Sequence, residues 1–422
     1  MDVLVLLPDA FDRASFSAVP GHRFRFVETE RAIDHWRPTG FDPLAYLDRA
    51  RAAAREGPVD AVVSTHDLGD YLAALLSREL GLPGPSPEAV FLGLHKYYGR
   101  RAERRAGFDS LRCEALDLED PSPEAFGYPC FLKAPFLKLG LLGYRLDGPE
   151  DLARAWRVAR RELPAWSRQY LPLFRATVDL DRYPLAAREI MLLEEFRDGP
   201  QVTVEGWVRA GRFHLWAITD TNVFPGSRAI DNFSLPSRLP AAAQASLAEA
   251  AERAVRSIGF TGGFANVELW WLDGQAIPIE VNARSAASFS VLYERCLHAS
   301  HWAAIVEVAG GGVPSALPRP DGTVGGQFNL ITFAEGRVGD LLDLEAAREV
   351  PGISLDRSAD EIVRPVSEFG VVLAQVELFG GSYEEIHAEA NRIRLRLLKR
   401  PEQGPGSTGA GTNRGRSGDP FD

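Results

Sequence analysis

The chain has 422 residues, 47 basic and 58 acidic, for a net charge of −11, and that length suits two or three domains of about 150 residues each. The acidic balance argues against a broad phosphate-neutralising surface, so neither nucleic acid nor an anionic membrane is an expected partner. No unbroken run of about eighteen apolar residues occurs, so no membrane-spanning helix is expected.

Residues 1–9 carry an acid, Asp2, where a secretory leader needs bases, and their apolar run stops at Pro8. Cys113, Cys130 and Cys296 are odd in number and far apart, which gives neither a disulfide framework nor a zinc knuckle and points to a reducing cytoplasm.

Residues 3–7 and 59–64 are short apolar runs that predict buried strands, with a helix over 44–55 between them. Leu68, Leu72, Leu75 and Leu76 recur at helical spacing and stop before Gly81. Strand, helix, strand, helix is the pattern of a small parallel α/β domain. After the proline-punctuated stretch 83–87, a helix carries Lys96 and an arginine cluster, Arg100, Arg101, Arg104 and Arg105, which reads as a solvated face. Residues 128–134 read as a strand holding Lys133, and Leu152, Trp156, Ala159 and Leu163 form the core stripe of a helix over 151–163.

The middle of the chain is strand-rich, with strands predicted over 190–196, 201–208, 212–218, 264–272 and 276–282 and an Ala-rich helix over 240–258 stopped by Gly259. The stretch 220–240, with Arg228, Asp231 and Arg238, reads either as a substrate-binding wall or as an ordinary exposed connection. Beyond Gly310, Gly311 and Gly312 a further α/β segment runs to about residue 400. The stretch 401–422 lacks the large apolar residues needed to dock and is expected to be disordered.

Lysine is scarce: the 47 bases include only Lys96, Lys133, Lys138 and Lys399, and elsewhere the chain uses arginine. Lys399 lies in an arginine-rich stretch and reads as chance. For the other three, a compact ammonium reaches a single phosphate oxygen where a planar guanidinium is too wide. None has the neighbours of a Walker A loop, and there is no GxGxxG after the first strand, no GxSxG and no HExxH. P-loop NTPases, simple Rossmann dehydrogenases, serine hydrolases and zincins are thereby disfavoured. His298 and His301 near Cys296 have metal-like spacing but no fourth ligand nearby.

Glu268 and Glu280 sit on strands that otherwise look buried, and burying two carboxylates side by side is costly without a cation. Two Glu and the amide of Asn282 are oxygen ligands that suit Mg²⁺ when phosphates supply the rest, and Glu280 and Asn282 share one strand face. Whether Glu268 joins them depends on the turn at Asp273 and Gly274. A two-residue turn would put the two acids on opposite faces, whereas a three-residue loop would bring them together. The metal reading requires the second; the alternative leaves one Glu facing solvent on an edge strand.

Lys96 at a helix start, Lys133 ending a strand, the run Leu193-Glu194-Glu195-Phe196-Arg197-Asp198-Gly199, and Glu268 with Glu280-Val281-Asn282-Ala283-Arg284 occur in that order. In this the chain resembles the ATP-grasp superfamily, and within it the stand-alone carboxylate-amine ligases such as the L-amino-acid ligases. The resemblance runs from about residue 60 to 310 and weakens towards 400. It implies an α/β and α+β multidomain chain: an N-terminal parallel α/β domain (1–95), a small lobe (96–190), a large lobe with the metal site (191–310), a C-terminal α/β subdomain (311–400) and the tail.

The resemblance also implies ATP on Lys96 and Lys133, with Lys138 on the phosphate loop, and Mg²⁺, or alternatively Mn²⁺, on Glu268, Glu280 and Asn282. Glu194 would bind the adenine amino group, backbone around Glu195 and Phe196 the ring edge, and Arg284 the transferring phosphoryl group or acyl phosphate. Two departures stand out. The phosphate loop over 134–143 has only two glycines, implying a stiffer, apolar lid over 136–142, and the expected ribose-binding acid is Gln201. The implied reaction is phosphoryl transfer to a small-molecule carboxylate and capture of the acyl phosphate by an amine. A phosphotransferase and a nucleotide-binding protein without turnover are the alternatives. A homodimer is an option.

Overall fold

The computed structural model describes residues 1–29, 38–108, 110–119, 126–138, 140–224, 227–355, 357–365 and 369–399; the tail expected over 401–422 lies outside them. The chain opens with β1 (Asp2–Leu6), α1 (Ala10–Ser17), β2 (Arg23–Val27), α2 (Pro43–Arg55), β3 (Ala61–Val63) and α3 (Asp67–Leu80). The three strands pair in parallel in the order β2-β1-β3, as the strand–helix alternation required. The sequence reading missed α1 and β2. The first is only eight residues long, held by a reciprocal cap between Asp9 and Asp12; the second alternates Arg with Phe.

Next come α4 (Pro87–Leu94), α5 (Lys96–Arg105), β4 (Cys113–Asp117), β5 (Cys130–Lys133), β6 (Tyr144–Leu146), α6 (Pro149–Thr177) and β7 (Ile190–Glu195). The strands form an antiparallel sheet in the order β4-β7-β5-β6. Helix α6 continues well past the expected end at residue 163, through Pro164 and Pro172. Trp166, Tyr170, Leu173 and Phe174 extend its buried stripe, and that packing outweighs the backbone hydrogen bonds the prolines remove.

The remainder comprises β8 (Gln201–Arg209), β9 (Arg212–Val223), β10 (Ile230–Leu235), α7 (Ala241–Ser257), β11 (Gly262–Leu272), β12 (Gln275–Asn282), α8 (Ser290–Leu297), α9 (His301–Ala309) and β13 (Val324–Thr332). It ends with β14 (Gly336–Arg337), α10 (Val338–Leu341), α11 (Leu344–Arg348), β15 (Ile353–Ser354), β16 (Ile362–Val363), β17 (Val371–Gly380) and α12 (Tyr383–Leu397). Eight of these strands form one sheet, β12-β11-β8-β9-β10-β13-β17-β15.

Two expectations change. About half of the stretch 220–240 is strand: β9 runs on to Val223 and β10 spans Ile230–Leu235. Its buried residues Asp220, Thr221, Asp231, Asn232 and Ser234 are polar, so no apolar alternation announced it. The segment after residue 310 also adds β13, β17 and β15 to the large sheet, while keeping an apolar cluster of its own around Phe328, Leu330, Val376 and Ile393. Among the described residues no helix is long and apolar enough to cross a membrane.

Candidate active site

A cavity of about 3300 Å³ opens between the N-terminal parallel sheet, the four-stranded sheet and the eight-stranded sheet, and every site residue expected from the sequence lines it. Lys96 is the first residue of α5 and Lys133 the last of β5. Glu194 and Glu195 end β7, and Gln201 begins β8. Glu268 lies in β11, while Glu280 and Asn282 lie in β12.

The turn between β11 and β12 corrects the sequence reading. Leu272 pairs with Gln275, so the loop is the two-residue Asp273-Gly274, both residues having positive φ (48° and 75°), as a type I′ hairpin turn demands. Glu268 nevertheless faces Glu280 directly, because the register shifts between Glu268↔Glu280 and Leu269↔Pro278. Ile279 is the extra residue of a β-bulge, and the bulge restores the parity that the turn would have broken. Pro278, which cannot donate a ladder hydrogen bond, is tolerated because β12 is the edge strand.

Beyond the bulge the donors converge. Asn282 Nδ2 donates to Glu268 Oε1 at 3.3 Å and to Asn266 Oδ1 at 3.4 Å, and Gln201 Nε2 donates to Glu268 Oε2 at 3.0 Å. Burial and the neighbouring Glu280 raise the Glu268 carboxyl. For Glu280, burial is outweighed by Lys96 and Lys133, which hold its carboxyl below the ordinary value. Among the described residues no three His, Cys, Asp or Glu side chains group to hold a metal. The donor set is two half-buried carboxylates and one amide, with Lys96 as the cation in contact, and this fits an oxygen-seeking divalent ion that completes its shell from phosphate and water.

Each cation has a carboxylate partner. Lys96 Nζ lies 3.1 Å from Glu280 Oε2 and donates to Leu137 O at 2.7 Å. Lys133 Nζ lies 2.6 Å from Glu194 Oε2, and Lys138 Nζ 2.8 Å from Asp67 Oδ2. Arg284 pairs through Nε with the other oxygen of Asp67. Burial depresses the Lys133 ammonium, with Glu194 opposing. At Glu194, burial is outweighed by Arg100 and Lys133, which hold the carboxyl down to about 2.

No family model matches the chain. By sequence it is similar to carnosine synthase 1 of Gallus gallus, 28% identical over 312 residues, which cover 70% of this chain and 30% of that one. The chain therefore spans about a third of the length of the curated relative it matches. By structure it is similar to an L-amino acid ligase from Bacillus licheniformis, with TM-score 0.75 and 19% identity over 94% of this chain and 98% of that one. It is also similar to carboxyaminoimidazole ribonucleotide synthase from Aspergillus clavatus complexed with ATP, with TM-score 0.67 and 14% identity over 93% and 98%.

The chain has the ATP-grasp fold.

Within this fold three residues do something other than the sequence suggested. Glu194, expected at the adenine amino group, has its carboxylate committed to Lys133 and Arg100. Arg100, expected in a solvated cluster, is 2% exposed, whereas Arg101, Arg104 and Arg105 are exposed. Phe136, expected in the lid, is core: its ring packs 4.8 Å from Tyr170. The part of that loop lining the cavity is Leu137, Lys138, Gly140, Leu141 and Leu142; Leu139 lies outside the described residues. Phe196 lies between two guanidiniums, Arg145 at 4.5 Å and Arg228 at 4.8 Å from its ring centre.

Three further residues escaped sequence reading. Asp67, which anchors both Lys138 and Arg284, opens α3 just after β3; the mouth of a parallel strand followed by a helix start was the available signal. Asn266, one residue pair from Glu268 on the same face, donates to Glu205 Oε2 at 2.8 Å. Glu205 also accepts from Ala286 N at 3.0 Å and lies 3.2 Å from His301 Nε2, so a buried acid props up the segment that follows Arg284.

Proposed function

We propose that this protein is an ATP-dependent ligase that activates a small-molecule carboxylate, an amino acid or similar, as an acyl phosphate with release of ADP, and joins it to an amine, which displaces the phosphate. One observation carries the reading: three of the four lysines and Arg284 line the same cavity as two half-buried carboxylates, Glu268 and Glu280, that face each other across adjacent strands. The names of the relatives, a carnosine synthase and an L-amino acid ligase, support the substrate class.

In this reading Lys96, Lys133 and Lys138 neutralise phosphate oxygens, and backbone at Glu195 and Phe196 takes the adenine edge in place of Glu194. Gln201 remains the candidate for a ribose hydroxyl. Glu268, Glu280 and Asn282 would hold Mg²⁺, with Mn²⁺ the alternative; the ion would supply neutralisation of phosphate charge. The chain supplies the rest. Glu194 and Asp67 keep Lys133 and the Lys138–Arg284 pair in place before substrate arrives, which lowers the reorganisation needed during transfer. Arg284, held by Asp67, is aimed at charge developing on the transferred group. Leu141 and Leu142 give the cavity an apolar border that keeps water from the acyl phosphate. The domain boundaries at about 95, 190 and 310 belong to the same reading, as does a cytoplasmic location, which suits ATP and three free cysteines.

The test screens acids and amines for ADP release, then adds hydroxylamine to the acid that works, in the parent and in Glu280→Gln. Hydroxamate from the parent and none from the variant is the expected result. Phosphate transfer to a hydroxyl, or ADP formation indifferent to Glu280→Gln, would overturn the reading.

A further inference from the structure

Arg100 spreads its donors over two walls of the cavity. Its Nε donates to Glu194 Oε1 at 2.9 Å, and its Nη1 donates to Glu103 Oε2 at 2.9 Å and to Pro278 O at 2.8 Å. Its Nη2 donates to Ile279 O. In a regular strand successive carbonyls point to opposite edges; here two successive carbonyls meet one guanidinium, because Ile279 is the bulged residue. Among the described residues β12 has no strand on its outer side, and Arg100 stands where a neighbouring strand would. One turn earlier on the same helix, Lys96 reaches Glu280, the residue that follows the bulge. Through Glu194, Arg100 also backs Lys133.

We propose that Arg100 is a positioning residue that joins the bulge of β12 to Glu194, so that Glu280 and Lys133 are placed together and divalent-ion binding depends on a side chain that touches no ion. The register carries the argument: without the bulge, Glu280 and Asn282 turn away from Glu268. A lysine cannot replace the guanidinium, since one ammonium cannot span acceptors on two walls. The inference rests on the ligase reading, because it takes Glu280 as an ion ligand.

The experiment titrates Mn²⁺ in the presence of ADP and follows the free-ion electron paramagnetic resonance signal, giving affinity and number of sites separately. The proteins are the parent, Arg100→Lys and Arg100→Gln. For Arg100→Lys we expect affinity weakened about tenfold or more at an unchanged number of sites, the range seen when a residue supporting a metal ligand is lost. The half-saturating Mg²⁺ for ADP release should rise in step, and Arg100→Gln, whose single amide cannot span both walls either, should weaken Mn²⁺ binding at least as much. A folded Arg100→Lys protein with affinity within about twofold of the parent would overturn the proposal, as would fewer sites of unchanged affinity. If Arg100→Lys does not fold, Arg100→Gln decides, and Mn²⁺ affinity there within about twofold of the parent overturns it. Failure of both variants to fold assigns the guanidinium to stability and also overturns it. No Mn²⁺ binding in the parent is a different result, which sinks the ligase reading.

Discussion

Lys133 and Glu194 are diagonal neighbours on adjacent antiparallel strands, and their charged atoms meet at 2.6 Å. Glu194 is buried, Lys133 is half-buried, and the carboxylate is shared with Arg100, so the space for Lys133 is set by its neighbours. Replacing Lys133 by Arg keeps the charge but brings a second guanidinium into the place of a point charge. We expect ATP turnover to fall on the order of 10²-fold, the usual cost of displacing a catalytic contact by about 1 Å. Steady-state ADP release checks this, and near-normal turnover would remove Lys133 from the phosphate site.

Much of this arrangement was legible in the sequence because it depends on residue type and order. Scarce lysines, acids on apolar strands and an Asn two places after Glu280 are visible without coordinates. The rest depends on relations between distant segments. Arg100 resembles its exposed neighbours in sequence, and it is distant segments, Glu194 of β7 and the Pro278 and Ile279 carbonyls of β12, that meet its side chain in the interior. The bulge at Ile279 has no strong local signature beyond Pro278, and the Asp-Gly turn, read alone, gave the opposite face assignment. Strand β10 was hidden because cavity-facing strands are polar, which removes the alternation that reveals strands.

Glu205 invites a stability test. Its carboxylate is the shared acceptor of Asn266, Ala286 and His301 in a fully buried setting. Glu205→Ala leaves those donors without it, and we expect a loss on the order of 3 kcal/mol. Glu205→Gln keeps one oxygen acceptor and should lose less. Denaturant unfolding measures both, and an Ala variant as stable as the parent would contradict the role given to this acid.

Gly93 sets how closely α4 approaches β12. A Cβ there would lie 2.9 Å from Val281 O and 3.1 Å from Ala283 Cβ, on either side of Asn282. Helix propensity alone predicts that Gly93→Ala gains about 1 kcal/mol. The contact predicts the opposite sign, a loss of about 1–3 kcal/mol from overpacking, together with weaker Mg²⁺-dependent ADP release. A stabilised, fully active variant would mean that α4 and β12 separate freely.

His95, between α4 and α5, makes the protein acid-sensitive. Its ring is buried beside Phe91, Tyr98 and Phe174, at centroid distances of 5.5, 4.9 and 6.4 Å. Burial pushes its pKa down to about 3 from an ordinary 6.5. Between those two values the unfolded chain takes up a proton that the folded ring refuses. Stability from this site is therefore complete above about pH 6.5 and is lost as the pH falls towards 3, at about 1.4 kcal/mol per pH unit. His95→Phe retains a flat ring of similar size and removes the titration. We expect the stability difference between pH 7 and pH 4.5, measured by denaturant unfolding, to shrink by about 3 kcal/mol in the variant. Other groups titrate in the same range, but they contribute equally to both proteins, so the difference isolates His95. Parallel pH profiles for the two proteins would show that this ring accepts its proton in the folded state and that its burial does not hold it neutral.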